Sequence, residues 1–253
     1  MICVIGLGEV GMEVFKEINK KQRDVVGVDI DNEKINKLSS EGFNVAVNIP
    51  KSEIYIIATY TTEQVLDALS RIDKSNSPLI IIESTVLPGT YKKIVNENEY
   101  DIVYFPHRLN PNDKDHHVFN LDRVMGGNAR SLARALNFYK EFMDINLIYT
   151  TNYELAELVK PFENAYRFME IALAEELKML CTENSIDFNE LRRLCNTKWN
   201  IDIKEAREGI GRKCLPKDIG LCDEYFRRNK IFKRAMEIDS EYREWLNDKK
   251  TEA

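Results

Sequence analysis

The chain has 253 residues, with 36 Lys and Arg against 42 Asp and Glu and a formal net charge of −6. That balance, with no segregated basic patch, argues against a nucleic-acid binder. No apolar run is long enough to cross a membrane, and Met1-Ile2-Cys3-Val4-Ile5-Gly6 reads as a strand with no basic leader, so a cytoplasmic protein without a signal peptide is expected. The five cysteines (Cys3, Cys181, Cys195, Cys214, Cys222) are scattered without a CxxC pair, which predicts reduced thiols and no structural metal. The pair His116-His117 sits in a polar run and reads as loop surface.

Short apolar runs alternate with amphipathic stretches through the first part of the chain. Strands are predicted at 2–5, 24–29, 54–58, 79–82, 102–105 and 145–149, and helices at 12–20, 32–39, 62–72, 91–95 and 131–143. Such alternation means βαβ units and an α/β fold with a Rossmann-type, mainly parallel sheet. The character then changes. Thr151 with Glu154 three residues on reads as a capping box. A long helix follows to about Cys181, with Leu155, Leu158, Phe162, Ala165, Phe168, Ile171, Ala172 and Leu177 on its expected inward face. Pro161 is expected to kink or loosen it, Asn184 to stop it, and Glu157 and Glu163 to be surface charges. Helices are predicted at 189–195, 219–229 and 231–246, and 248–253 reads as a frayed polar tail. Two domains result, 1–150 and a smaller all-helical 151–253.

Three groups of residues carry chemistry. Gly6-Leu7-Gly8-Glu9-Val10-Gly11 is GxGxxG between a strand and a helix. Its glycines permit the tight turn, the approach of a pyrophosphate and close helix–strand packing, and the helix N-terminus faces the phosphates. Asp29 ends the second strand, where a carboxylate accepts from ribose hydroxyls and repels a 2′-phosphate, so NAD is expected over NADP. Lys34 stands close enough in sequence to soften that exclusion, although it reads first as an exposed helix residue. Lys160 and Asn164 are four apart on one helix face and can polarise an alcohol or a developing oxyanion. Gly209-Ile210-Gly211-Arg212-Lys213-Cys214-Leu215-Pro216-Lys217-Asp218 presents a cysteine beside two cations in a glycine-flexed loop, a setting that favours a thiolate. Asp218 follows as a group that can move a proton or orient a water.

These strings, with Glu83-Ser84-Thr85-Val86-Leu87-Pro88-Gly89-Thr90 and Arg167, resemble the UDP-glucose/GDP-mannose dehydrogenase family of nucleotide-sugar oxidoreductases in order and rough spacing over almost the whole chain. The resemblance implies oxidation of a sugar C6 alcohol to a uronic acid with two NAD, through a cysteine thiohemiacetal and thioester. By position, Cys214 resembles the nucleophile and Lys160 with Asn164 the oxyanion pair. Asp218 resembles the water-orienting acid, and Thr85 the threonine near nicotinamide and catalytic water. Ala58-Thr59-Tyr60-Thr61 stands where the family has Val-Pro-Thr-Pro, placing Ala58 and Thr59 beside the cofactor. His107 replaces the usual glutamate after Pro106 and is expected to serve as a proton-transfer group. Arg212 and Lys213 replace smaller residues before the cysteine, and 43–52 is short. Relatives continue into a third domain that supplies much of the nucleotide-sugar site, so weak sugar-nucleotide binding and a homodimer through the long central helix are expected. Two alternatives stay open. One is a β-hydroxyacid dehydrogenase, which needs no cysteine. The other is an NAD-binding, catalytically silent protein that regulates or assembles with a full-length relative.

Overall fold

The computed structural model describes residues 1–21, 24–95, 100–109, 113, 115–211 and 214–252. They pack as two units, Met1–Lys160 and Pro161–Ala253. The first unit takes in the start of the long helix rather than ending before it near residue 150.

The first unit holds an eight-stranded sheet: β1 (Ile2–Ile5), β2 (Val25–Val28), β3 (Val45–Ala46), β4 (Ile54–Ile57), β5 (Leu79–Ile82), β6 (Asp101–Tyr104), β7 (Arg123–Gly126) and β8 (Ile148–Thr151). Their order is β3-β2-β1-β4-β5-β6-β7-β8, parallel throughout except for β6 against β7. β1, β2 and β5 are buried along their whole length, as strands covered on both faces must be. Successive side chains feed two cores. Val4, Ile56 and Ile81 join Val14, Phe15 and Ile18 of α1 (Glu9–Lys21) on one side. Ile5, Ile57 and Ile80 join Val65, Ala68 and Leu69 of α3 (Thr62–Arg71) on the other. Strand order reverses between β1 and β4, and at such a switch point the carboxyl ends of the strands leave a crevice.

The sheet differs from expectation at two strands. β3 is only two residues long, too short for a pattern, and β7 opens on a fully buried arginine that interrupts the apolar signal. The expected strand 145–149 is a 3-10 turn, Ile145–Leu147, followed by β8. The remaining helices of this unit are α2 (Asn32–Ser40), α4 (Tyr91–Ile94) and α5 (Ala129–Tyr139), the last capped by Asn128 Oδ1 on the Ser131 N–H at 2.8 Å.

α6 (Tyr153–Glu183) is 31 residues long and runs unbroken through Pro161. Its cap is Asn152, whose Oδ1 accepts from the Leu155 N–H at 2.9 Å, because Thr151 is committed to β8. Asn184 does end it. Ser185 takes the left-handed conformation (φ 56), its N–H bonds Thr182 O at 3.1 Å and the Ile186 N–H bonds Cys181 O at 2.8 Å, a Schellman closure. Two expected inward residues, Leu155 and Phe162, are exposed, while Ala156, Glu157, Asn164 and Glu175 are buried.

In the second unit α6 is followed by α7 (Phe188–Cys195), α8 (Cys214–Tyr225) and α9 (Ile231–Glu252). α9 continues through most of the segment read as a frayed tail. Ala165, Phe168 and Ala172 of α6 pack with Ile219 and Cys222 of α8 and Phe232 and Ala235 of α9. α8 begins at Cys214, five residues earlier than the expected 219.

Candidate active site

The glycine turn sits at the switch point. Gly6 has φ +91, and a Cβ there would stand 2.7 Å from Ala58 O. A Cβ at Gly11 would stand 1.8 Å from Gly6 O, so α1 can meet β1 only without a side chain. A Cβ at Gly8 would meet nothing within 4 Å, and that open space lies at the N-terminus of α1, whose first residue is Glu9. Leu7 is buried and Val10 half-buried beside them. Asp29 stands at the end of β2 with its carboxylate fixed on three sides. Oδ2 accepts from the Leu7 N–H and from Lys34 Nζ, each at 2.9 Å, and Oδ1 from the Asp31 N–H at 3.0 Å. Burial alone would raise its pKa, but Lys34 and the two amides outweigh that and hold it below the usual carboxylate range. Lys34 is therefore an ion-pair partner of Asp29 rather than a bystander on the helix.

Thr85 is half-buried in the loop after β5. That loop is held to the sheet by the Ser84 N–H on Ile57 O at 3.2 Å and to α3 by the Leu87 N–H on Thr62 Oγ1 at 2.9 Å. Thr59, after β4, reaches Ser84 Oγ at 3.4 Å. Glu157, read from sequence as a surface charge, is buried instead and accepts the Gly89 N–H at 2.6 Å and the Tyr91 N–H at 2.7 Å. Helical periodicity carries no sign of a donor arriving from another element, so nothing in the sequence marked it.

His107 follows β6 and is buried. Its Nδ1 accepts the Leu109 N–H at 2.9 Å. Desolvation, then the charges of Arg123 and Lys160, push its pKa well below the ordinary histidine value, against the weaker opposing effect of a hydrogen bond to the Val118 main chain. Burial therefore favours the neutral ring, with its Nδ1 lone pair engaged by the Leu109 N–H. Beneath it lies a buried ion pair. Arg123 Nη2 donates to Glu83 Oε1 at 2.8 Å and to Phe105 O, and its guanidinium covers the Phe105 ring at 3.6 Å. Tyr139 OH donates to the same Oε1 at 3.0 Å. Lys160 is half-buried on α6.

The second unit carries the other expected residues. Asn164 Nδ2 donates to Asp218 Oδ2 at 2.6 Å, both side chains being buried, and Lys217 Nζ lies 3.6 Å from Asp218 Oδ1. Cys214 is exposed at the first position of α8, one turn before Asp218. Arg212 and Lys213 lie outside the described residues. Burial pushes the Cys3 and Cys222 thiols up to about 12. Glu175 of α6 was not anticipated. It is fully buried, neither oxygen has a hydrogen-bond partner among the described residues, and burial with Asp239 nearby raises its pKa to about 8.

Residues 1–46 and 39–143 match the NAD binding domain of the UDP-glucose/GDP-mannose dehydrogenase family, and residues 154–241 match that family's central domain. The chain belongs to the UDP-glucose/GDP-mannose dehydrogenase family. NAD is the cofactor of its first unit, and the residues fit it: an open Cβ position at Gly8 beside a helix N-terminus, and a carboxylate prepared at Asp29. Family members similar to this chain include the UDP-N-acetyl-D-mannosamine dehydrogenase of Methanococcus vannielii, 28% identical over 94% of this chain and 64% of its own length. Among solved structures, the UDP-N-acetyl-mannosamine dehydrogenase of Staphylococcus aureus superposes with a TM-score of 0.85 at 26% identity, over 99% of this chain and 70% of that one. The corresponding Pyrococcus horikoshii enzyme gives 0.83 at 26%, over 96% and 69%. The chain thus spans about two thirds of the length of these relatives.

Proposed function

We propose that this chain is an NAD-dependent nucleotide-sugar 6-dehydrogenase that oxidises a C6 alcohol to a carboxylate through a thioester on Cys214. The observation that carries the reading is the start of α8: an exposed Cys214 one turn before a buried Asp218 that is hydrogen-bonded to Asn164. The relatives' substrate makes UDP-N-acetylmannosamine the first sugar nucleotide to try, ahead of UDP-glucose and GDP-mannose. NAD, when bound, supplies the hydride acceptor for both oxidations. Lys160 and Asn164 stabilise negative charge on the C6 oxygen. Cys214 Sγ adds to the C6 aldehyde, forming a C–S bond and a thiohemiacetal, which is oxidised to the thioester. A water held by Asp218 then attacks the acyl carbon. The C–S bond breaks, the thiolate leaves and the carboxylic acid is released. Incubation with NAD and each sugar nucleotide, following NADH and the acid product by mass, tests this. The reading fails if no NADH forms, and acid production surviving Cys214→Ala would remove the cysteine thioester from the reaction.

The assembly in this reading is a homodimer through α6. Phe162, Tyr166, Leu173 and Leu180 form an exposed apolar stripe along that helix. Light scattering on the wild type and on Leu173→Glu tests it, and a monomeric wild type would overturn it. A second reading, an NAD-binding partner protein with little turnover, is favoured by the neutral, engaged ring of His107. NADH binding without turnover on any sugar nucleotide would select it.

A further inference from the structure

Glu157 lies on α6 one turn before Lys160 and is 1% exposed. Both of its oxygens face main-chain donors of the loop that carries Thr85: Oε2 takes the Gly89 N–H and Oε1 the Tyr91 N–H. The other anchors of that loop lead to the sheet and to α3. The Glu157 bonds tie it to α6, beside a stacked pair of rings, Tyr91 and Tyr153, with centroids 6.0 Å apart. Lys160 is also on α6, so the spacing between Lys160 and Thr85 passes through this junction.

We propose that Glu157 is a positioning residue: it holds the 84–91 loop to α6 so that Thr85 and Lys160 keep one register. This rests on the roles given above to Thr85 and Lys160. An ionised carboxylate offers two charge-assisted acceptors to two donors, whereas a protonated one keeps a single strong acceptor. Burial pushes Glu157 up to about 7. The amides of Gly89 and Tyr91 pull against that, Glu154 on its own helix adds to it, and Lys92 on α4 opposes it. Because that value lies above the one an exposed glutamate takes, ionisation works against burial of this carboxylate, and the two amide bonds are what hold it in place.

Hydrogen exchange on the full chain, read at the peptide covering 84–91, tests the tie without any turnover. In the wild type the Gly89 and Tyr91 amides should exchange well below the rate of an open loop. Glu157→Gln, which can accept only one of the two amides, should lose about ten-fold of that protection. Glu157→Asp keeps both acceptor oxygens on a shorter side chain and should lose less, which also decides the matter if the glutamine variant does not fold. In turnover, Glu157→Gln should lower kcat about ten-fold or more while the NADH Kd stays within about three-fold. Unchanged protection in Glu157→Gln, or a loss of NADH affinity as large as the loss of kcat, would overturn the proposal. Loss of protection in Glu157→Gln beside a wild type that oxidises no sugar nucleotide would count against the dehydrogenase reading and leave the junction itself supported.

Discussion

Asn164 and Asp218 are joined by a 2.6 Å hydrogen bond in which the amide donates and the carboxylate accepts, and both side chains are buried. One of the amide's two donors is thereby committed and its orientation is fixed. The second N–H and the carbonyl remain for other work. Removing the acceptor in Asp218→Ala leaves a buried amide N–H without its partner and should cost about 1–3 kcal/mol in chemical denaturation. Asp218→Asn, which can still present an oxygen, should cost less. If both variants unfold at the wild-type midpoint, the bond contributes nothing to the helical unit.

Cys214 should be the fastest of the five thiols to alkylate. It is exposed at the start of α8, Cys3 and Cys222 have thiols pushed up to about 12, and Cys181 is buried. Brief iodoacetamide treatment near neutral pH, followed by peptide mapping, gives the order. Cys195 labelling first would remove Cys214 from the nucleophile's role.

The protein should bind NADH well ahead of NADPH. The Asp29 carboxylate is held ionised, and Lys34 is already paired with it and so poorly placed to welcome a 2′-phosphate. Fluorescence titration of both cofactors measures the gap, and Asp29→Ala should narrow it by about ten-fold or more. Equal affinities in the wild type would refute the assignment.

Gly8 and Gly11 should separate binding from folding. Gly11→Ala places a Cβ 1.8 Å from Gly6 O and should melt far below the wild type. Gly8→Ala meets no protein atom within 4 Å and should melt like the wild type, yet lose NADH affinity about ten-fold or more as the methyl enters the space of the pyrophosphate. A Gly8→Ala variant that binds NADH normally would mean that the phosphates lie elsewhere.

Glu175 should make the helical unit less stable in alkali. Its folded pKa, about 8, exceeds the unfolded value, so between the two the unfolded chain holds fewer protons. Stability is greatest below the unfolded pKa, declines as pH rises towards about 8 and is flat above it. Glu175→Gln removes this penalty and should gain about 2 kcal/mol over the wild type at pH 8.5, with little difference near pH 5. A constant difference between the two proteins across that range would show that Glu175 does not titrate in this way.

Much of this was legible in the sequence, and the exceptions share a cause. The glycine turn, Asp29 and the strands β1, β4 and β5 could be read because local spacing and continuous apolar runs determine them. β7 was missed because Arg123, paired in the core with Glu83, breaks the apolar run that marks a buried strand. Leu155 and Phe162 fall on the exposed face although the pattern puts them inward, because an apolar stripe on a helix reads alike whether it meets the core or solvent. Glu157 reads as a surface charge because its partners are main-chain amides far away in the chain, and amides have no letter in a sequence. Cys214 and Asp218 are legible as a motif, but their placement one turn apart at the start of a helix is not.

The three glycines of the turn also differ in what they record. Those at 6 and 11 are demanded by atoms of the chain itself, and any descendant that still folds this way must keep them. Gly8 is under no such obligation: its backbone is not left-handed and its surroundings are open. Were the dinucleotide abandoned, mutation could fill position 8 freely while the fold persisted. The glycine found there is thus a record of use rather than of architecture, and position 8 is where a lineage of such chains would first show that it had given up its cofactor.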